Sequence, residues 1–171
     1  MEKGERVKPS RVRLRKLRRA DFSAFIPAWN DPEIMRLTTE RQFQLTSQEV
    51  FAKLEEHLTN PKMHDFVILV DGEIAGHIVV QLKPHHRRYE IYIAIHDKDF
   101  WGRGVGTIAT LKACDWFFRM FPDEFELELG VFTLNTRAIR CYEKCGFKRV
   151  RVMKRSFCPD ELIMRKVRET G

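Results

Sequence analysis

Three glycines at alternate positions, Gly102, Gly104 and Gly106, lie between a strand-like apolar run and a helix-like run, in the stretch IYIAIHDKDFWGRGVGTIAT of residues 91–110. Glycine at alternate positions allows several backbone N–H groups to turn towards one point. The first turn of the following helix adds N–H donors without partners and a partial positive charge. Together these features predict an anion site suited to a pyrophosphate. The spacing matches neither a P-loop nor a GxGxxG dinucleotide loop, and taken alone it is also compatible with a tight strand-to-helix turn.

A second stretch, NTRAIRCYEKCGF at residues 135–147, predicts a helix that begins after Asn135 and stops at Gly146. Tyr142 follows Asn135 by seven residues, about two helical turns, so both point to nearly the same side of the helix. A phenol is protonated at neutral pH and can donate a proton. Each residue also has a purely structural interpretation, Asn135 as a helix cap and Tyr142 as a core tyrosine.

The two stretches together resemble the GNAT family of acetyl-CoA-dependent N-acetyltransferases. The family's loop has the form (Gln/Arg)-x-x-Gly-x-(Gly/Ala), and here Trp-Gly-Arg-Gly-Val-Gly occupies residues 101–106. Asn135, Tyr142 and Gly146-Phe147 match the family's later helix. The resemblance covers about residues 11–167, and the start of the chain is similar to the branch that holds ribosomal-protein N-terminal and spermidine acetyltransferases. Trp101 departs from the Gln/Arg position, and the Arg103 side chain is a candidate to compensate.

This resemblance implies a role for each matched position. The backbones of Ile93 and Ile95 would pair with the pantetheine arm of acetyl-CoA, and Asn135 would hydrogen-bond that arm near its thioester. Tyr142 would be the general acid that protonates the departing CoA thiolate. The pyrophosphate would be held by five consecutive backbone N–H groups, those of Arg103, Gly104, Val105, Gly106 and Thr107.

The general base is open at this stage. Glu90 begins the strand that enters the glycine loop and is similar to the base carboxylate of some family members, but it is equally a surface carboxylate. His96 and a chain of water molecules are the other candidates. Cys141 lies about 100° around the helix from Tyr142, so we expect no nucleophilic cysteine and no covalent intermediate.

The predicted function is therefore transfer of an acetyl group from acetyl-CoA to a primary amine, either a small amine such as a polyamine or a protein N-terminus. The alternative is a catalytically silent CoA-binding or regulatory module. We expect residues 30–41 and the loop 83–88 to form the acceptor pocket, and a homodimer is possible.

Period-two and period-3.6 patterns of apolar residues predict the elements that position these stretches. Residues 20–38 read as one or two short helices, and Asp71-Gly72 between two β-rich runs predicts a hairpin. The resulting order is β-α-α-β-β-β-α-β-α-β-β, a single α/β (α+β) domain with a mixed central sheet and helices on both faces. We expect a basic flexible tail at residues 1–10 and the acyltransferase domain at residues 11–171.

The composition of the chain argues against several other classes of protein: nucleic-acid-binding, membrane-spanning, secreted and metal-binding. The 171 residues are 43% hydrophobic and carry a net charge of +7, but no nucleic-acid motif accompanies the basic residues, so nucleic acid is an unlikely partner. No apolar run approaches the roughly 20 residues of a membrane span, and the first 20 residues lack the apolar segment of a signal peptide, so we do not expect a secreted protein. The four cysteines lack a second close pair of ligands, so we expect no metal and a cytoplasmic protein with free thiols.

Overall fold

A computed structural model describes residues 4–83, 85 and 87–169. Seven strands form one sheet in the order β1-β2-β3-β4-β5-β7-β6. The strands are β1 (Val12–Lys16), β2 (Met63–Val70), β3 (Glu73–Lys83), β4 (Arg88–Ile95), β5 (Glu126–Phe132), β6 (Lys148–Met153) and β7 (Glu161–Val167). The helices are α1 (Phe22–Trp29), α2 (Pro32–Thr38), α3 (Ser47–Thr59), α4 (Val105–Met120) and α5 (Thr136–Lys144). The predicted fold class, an α/β domain with a mixed sheet, is confirmed.

The predicted order differs from the structure in one respect, because three helices rather than two precede β2. The chain breaks at Asp31, whose carboxylate accepts hydrogen bonds from the N–H groups of Glu33 and Ile34 at 2.9 and 3.1 Å and so caps a new helix. Pro32 occupies the first position of that helix, where its missing N–H costs nothing. Residues 20–38 therefore form two helices, α1 and α2.

The predicted hairpin at Asp71-Gly72 is present. β2 and β3 are antiparallel across these two residues, and both have positive φ, 53° and 97°, as a two-residue type I′ turn requires. β6 and β7 are also antiparallel. β6 is an edge strand of the sheet, and its Val150 and Val152 are 44% and 48% exposed.

Helices cover both faces of the sheet. On one face, α4 packs into the sheet through Ala109, Ala113 and Phe117, which are fully buried. On the other face, α1 and α3 contribute Phe25 and Leu54 to a second cluster of buried side chains. None of the helices in the described part of the chain has the length and apolarity needed to cross a membrane.

β4 and β5 are the parallel neighbours in the sheet, and they separate after their first contact. Their register contains the pair Glu90 and Glu128 and no further pair, although β4 continues to Ile95 and β5 to Phe132. Glu128 is buried, and its Oε2 accepts hydrogen bonds from Arg88 at 3.1 Å and from Arg165 at 2.9 Å. The two strands are thus tied together at one end and open at the other.

Residues 4–10 are packed against the domain. Val7 is 4% exposed and belongs to the core cluster beneath α4. Its N–H donates to the carbonyl of Arg103 at 3.0 Å. This part of the expected tail is therefore held in place, because an apolar side chain within it enters the core. Residues 1–3 lie outside the described residues, and the domain boundary at residue 11 stays a prediction.

A histidine pair is buried beneath α1. His77 Nδ1 and His96 Nε2 lie 2.9 Å apart and share a hydrogen bond, and the ring of Phe25 packs about 5 Å from both. No hydrogen-bond partner for His96 Nδ1 is found in the described part of the chain. Burial lowers the pKa of His96 to about 4 and the pKa of His77 well below 6.5, so both rings are neutral in the folded protein.

We expect this pair to make the fold acid-sensitive. Because the unfolded chain binds a proton at each histidine near pH 6.5 and the folded chain does not, the free energy of unfolding falls as the pH drops from 6.5 to 4. His96 alone contributes roughly 2–3 kcal/mol to this change. Urea unfolding between pH 4 and 7 measures it. His96→Asn should flatten the dependence, whereas His85→Asn, at an exposed position, should leave it unchanged; equal slopes in all three proteins would contradict this account.

Candidate active site

A cleft of about 730 Å³ opens where β4 and β5 separate. The end of β4, the glycine loop, α4 and α5 form most of its wall. α2 and the N-terminal segment complete it. Of the predicted site residues, the cleft wall contains Ile93, Ile95, Arg103, Gly104, Gly106, Thr107, Asn135 and Tyr142.

The glycine loop has the geometry of an anion site. Gly102 and Gly104 have φ of 77° and 87°, a left-handed conformation that favours glycine, and a Cβ added at either would meet no described atom within 4 Å. The N–H of Ile108 donates to the carbonyl of Gly104 and begins the α4 hydrogen-bond pattern. The N–H groups of residues 104–107 therefore precede that pattern, and no partner for them is found among the described residues.

Arg103 differs from the other four predicted donors. Its N–H donates to the carbonyl of Phe100 at 3.3 Å, because the chain forms a short 3-10 turn before the loop. Its guanidinium turns away as well, with Nε donating to the carbonyl of Glu5 at 2.9 Å. The structure thus leaves four of the five predicted N–H donors without a partner among the described residues, and the Arg103 guanidinium is bonded to the backbone carbonyl of Glu5.

Trp101, which stands at the Gln/Arg position of the family pattern, connects the glycine loop to β4. Its indole N–H donates to the carbonyl of Ile95 at 2.9 Å, which joins the loop to the end of β4. The guanidinium of Arg137, in the first turn of α5, stacks 3.6 Å from the centre of the Trp101 ring. This cation–π contact brings a positive charge to the loop from another element.

The end of β4 presents free backbone groups to the cleft. The N–H of His96 donates to the carbonyl of Ala75 at 2.8 Å, so this residue and its even-numbered neighbours face β3. The backbone groups of Ile93 and Ile95 therefore face the opening. Since the carbonyl of Ile95 is bonded to Trp101, both groups of Ile93 and the N–H of Ile95 are available to an extended ligand.

Asn135 and Tyr142 lie in the same wall. Oδ1 of Asn135 accepts from the N–H of Ala138 at 3.2 Å and caps α5, while Nδ2 donates to the carbonyl of Leu37 at 3.3 Å and ties α5 to α2. One amide hydrogen of Asn135 remains for a ligand. Tyr142 is 6% exposed, and its hydroxyl makes no hydrogen bond with the described residues. Burial raises the pKa of Tyr142 well above 10, so the phenol is protonated.

The two candidate bases are less well placed. Glu90 lies at the closed end of the opening, not in its wall, and its Oε2 is 3.6 Å from Nζ of Lys83. It is three residues from Ile93, or about 10 Å along the strand. His96 is also outside the wall, and a pKa of about 4 makes it a weak base at neutral pH. A proton could travel from the cleft to Glu90 only through water.

Comparison with known proteins identifies the family. Residues 11–148 match the family model described as "Acetyltransferase (GNAT) domain". The chain belongs to the GNAT acetyltransferase family. It is 32% identical over 141 residues to the spermidine N(1)-acetyltransferase of Escherichia coli, covering 80% of this chain and 72% of that protein. The L-amino acid N-acetyltransferase AaaT of E. coli is 28% identical over 93 residues, or 52% of this chain and 55% of that protein.

Solved structures agree with the GNAT fold. The spermidine N-acetyltransferase from Vibrio cholerae, in complex with CoA and spermine, superposes with a TM-score of 0.81. The superposition covers 92% of this chain and 96% of that one at 22% identity. The predictions of the family and of an acetyl-CoA-dependent N-acetyltransferase are confirmed.

Three parts of the GNAT cleft were missed by sequence reasoning. One face of α2, with Leu37, forms a wall, Arg137 stacks on Trp101, and residues 6–9 line the mouth. Arg137 lies within the motif at residues 135–147, but neither its spacing nor its type indicates a ring in another element. For residues 6–9, the alternation of the basic Arg6 and Lys8 with the apolar Val7 was a sequence signal of an extended segment with one side chain in the core.

We expect a side chain at Gly104 to block CoA binding, whereas the same change at another glycine with positive φ should reduce only the stability of the fold. Gly104→Val places a β-branched side chain at positive φ and projects it into the cleft, so it should abolish the rise in melting temperature that CoA causes by binding the folded state. Gly72→Val is the matched control, since its φ is 97° and its side chain also enters open space. Both variants should lose similar stability, about 1–2 kcal/mol or more. Undiminished CoA binding by a folded Gly104→Val protein would contradict the assignment.

Proposed function

We propose that this N-acetyltransferase acts on a small polycationic amine of the polyamine class. The observation that carries the proposal is the 32% identity with a spermidine N(1)-acetyltransferase over most of both chains. The carboxylate of Glu40, in the wall of a second cavity, supports it, since an ammonium group of the substrate needs an anionic partner.

The proposed acceptor site is a second cavity of about 390 Å³. α2 separates it from the cofactor cleft, because Ile34 and Leu37 face the cleft while Met35 and Arg36 face the cavity. The opposite wall is formed by residues 157–159 in the β6–β7 connection. The sequence predicts an acceptor pocket formed by residues 30–41 and the loop 83–88, and residues of the first range line this cavity. Residues 84 and 86 of that loop lie outside the described part, and its other residues do not line this cavity.

The carboxylate in the wall of this cavity is paired at present with a basic side chain. Glu40 lies 2.8 Å from Arg155. Asp31 and Glu33, at the start of α2, are outside the cavity wall and are paired with Nζ of Lys98 at 2.8 and 3.4 Å. Exposed ion pairs contribute little net stability, so an ammonium group of the acceptor can replace Arg155 beside Glu40 at small cost.

A second candidate acceptor is an amine that carries a carboxylate, such as an L-amino acid. Arg36 favours it, because this side chain lines the cavity and makes no ion pair with the described residues. A guanidinium without a partner is suited to bind a carboxylate in bidentate fashion. A protein N-terminus is the third arm of the test.

We assign the residues of the cleft as follows. Acetyl-CoA supplies the acetyl group as a thioester. The free N–H groups of residues 104–107 would hold the pyrophosphate, and Ile93, Ile95 and Asn135 would align the extended arm. Tyr142 would donate its proton to the departing thiolate. Glu90 would accept the proton of the amine through water, so that the neutral amine attacks without a covalent enzyme intermediate.

A panel of amines tests the acceptor class, with release of CoA thiol as the readout. The panel holds spermidine, spermine, an aminoglycoside, an L-amino acid and a peptide with a free N-terminus. We expect the highest kcat/KM with the polyamines, and a rise in their KM in Glu40→Gln. Arg36→Ala is the control that should affect only acceptors with a carboxylate. Activity on the amino acid alone would overturn the polyamine assignment, and no thiol release with any amine would favour a silent module.

Tyr142→Phe isolates the proton donor. The change removes one hydroxyl and little volume, and that hydroxyl has no partner among the described residues, so the fold should keep its stability. We expect kcat to fall about 10²-fold or more, with little change in KM for acetyl-CoA, because the hydroxyl acts as the C–S bond breaks. Steady-state kinetics after comparison of melting temperatures measures this. A Phe variant with near-normal kcat would make Tyr142 a packing residue.

Glu90 is tested against its ion-pair partner. Glu90→Gln and Lys83→Met each remove the Lys83–Glu90 pair, but only the first removes the carboxylate. If Glu90 is the base, Glu90→Gln alone should lower kcat about 10²-fold or more at pH 7, with partial recovery at high pH where more amine is neutral. Equal rates in the two variants would show that the ion pair is structural and that water accepts the proton directly.

Two further predictions concern the cellular location and the oligomeric state of the enzyme. All four cysteines are free in the structure, which supports the predicted cytoplasmic location because thiols persist in a reducing compartment. The possible homodimer stays a prediction, which sedimentation of the purified protein would test.

A further inference from the structure

The N-terminal segment, residues 5–9, forms a fixed wall at the mouth of the cofactor cleft. Two hydrogen bonds run in opposite directions between it and the glycine loop: Val7 N–H to the Arg103 carbonyl at 3.0 Å, and Arg103 Nε to the Glu5 carbonyl at 2.9 Å. Burial of Val7 anchors the segment. Side chains alternate in an extended chain, so Arg6 and Lys8 point away from the core on either side of Val7. Both line the cleft.

The charged side chains that the structure describes in the wall of this cleft are all basic. Among the described residues its wall contains no Asp or Glu and six basic side chains, which belong to Arg6, Lys8, Arg103, Arg137, Arg140 and Lys144. Arg103 is engaged by Glu5, and Arg137 stacks on Trp101. The remaining four make no ion pair with the described residues. Arg140 and Lys144 belong to α5, whereas Arg6 and Lys8 belong to the N-terminal segment, which is hydrogen-bonded to Arg103 of the glycine loop.

This excess of charge is more than a pyrophosphate requires. A diphosphate diester carries two negative charges, and the four free N–H groups at the start of α4 already form its site. Coenzyme A carries one further group of high charge, the 3′-phosphate of its ribose, a phosphomonoester with nearly two negative charges at neutral pH. Two exposed basic side chains without ion-pair partners among the described residues, on a segment bonded to the glycine loop, are suited to such a group.

We propose that Arg6 and Lys8 bind the 3′-phosphate of CoA and make the enzyme select CoA thioesters over their 3′-dephospho forms. The proposal rests on acetyl-CoA as the donor and concerns specificity for it. Val7 is a positioning residue, since it holds the segment against the loop but has no polar side chain of its own.

Isothermal titration with CoA and with 3′-dephospho-CoA tests the proposal. The wild-type protein should bind CoA at least about tenfold more tightly. The double variant Arg6→Ala/Lys8→Ala should lose about tenfold in affinity for CoA and less than about twofold for dephospho-CoA. The matched control is Lys148→Ala/Arg151→Ala on the exposed edge strand β6, which removes the same charge far from the cleft and should leave the ratio of the two affinities unchanged.

A second variant tests whether the position of Arg6 and Lys8, and not only their charge, matters for binding. Val7→Ser keeps Arg6 and Lys8 but weakens the anchor, so it should reduce the CoA to dephospho-CoA ratio in the same direction. Equal binding of both nucleotides by the wild-type protein, or an unchanged ratio in the double variant, would overturn the proposal and leave the cofactor site intact. Failure of the proposed function looks different, because it appears in the amine panel, as activity on other amines or no thiol release, and leaves the two nucleotide affinities of the wild-type protein unchanged.

Discussion

The separation of β4 from β5 is the constraint on which the site depends. A parallel pair of strands normally continues its hydrogen bonds along its length, and here the register stops after Glu90 and Glu128. The buried Glu128 between Arg88 and Arg165 fastens the closed end. Leaving the rest of the pair open costs hydrogen bonds that a sheet would otherwise make. That loss creates a strand edge inside the protein, and an edge of this kind can take up an extended ligand as an additional strand.

Three helices, α4, α5 and α2, lie around the opening between β4 and β5. α4 starts where β4 ends, so the free N–H groups of its first turn lie at the mouth of the gap. α5 brings Asn135 and Tyr142 to the inner part, and the bond from Asn135 to the Leu37 carbonyl fixes α2 as the partition towards the second cavity. A residue that caps one helix thereby sets the distance between the cofactor and acceptor sides. The proposed phosphate and thioester sites thus share one cleft, and the proposed acceptor site lies across α2 from it.

Local patterns predicted most of this arrangement. The hairpin at Asp71-Gly72, the α4 and α5 boundaries and the glycine loop follow from turn chemistry and periodicity, which act over a few residues. The residues that escaped prediction depend on distant partners. Val7 is buried only because it joins a core cluster built by distant elements, and Arg137 has a role only because its guanidinium stacks on Trp101. The position of Glu90 outside the cleft wall follows from where two strands part, which no spacing along one strand reveals.

Amide hydrogen exchange with and without acetyl-CoA tests the central claim most directly, that the gap between β4 and β5 receives the cofactor arm as a strand. Saturating acetyl-CoA should slow exchange at the N–H groups of Ile93, Ile95 and residues 104–107. Exchange along β1, at the far edge of the sheet, should stay the same once any general gain in stability is subtracted. Unchanged exchange at Ile93 and Ile95 in a protein that demonstrably binds acetyl-CoA would contradict the account.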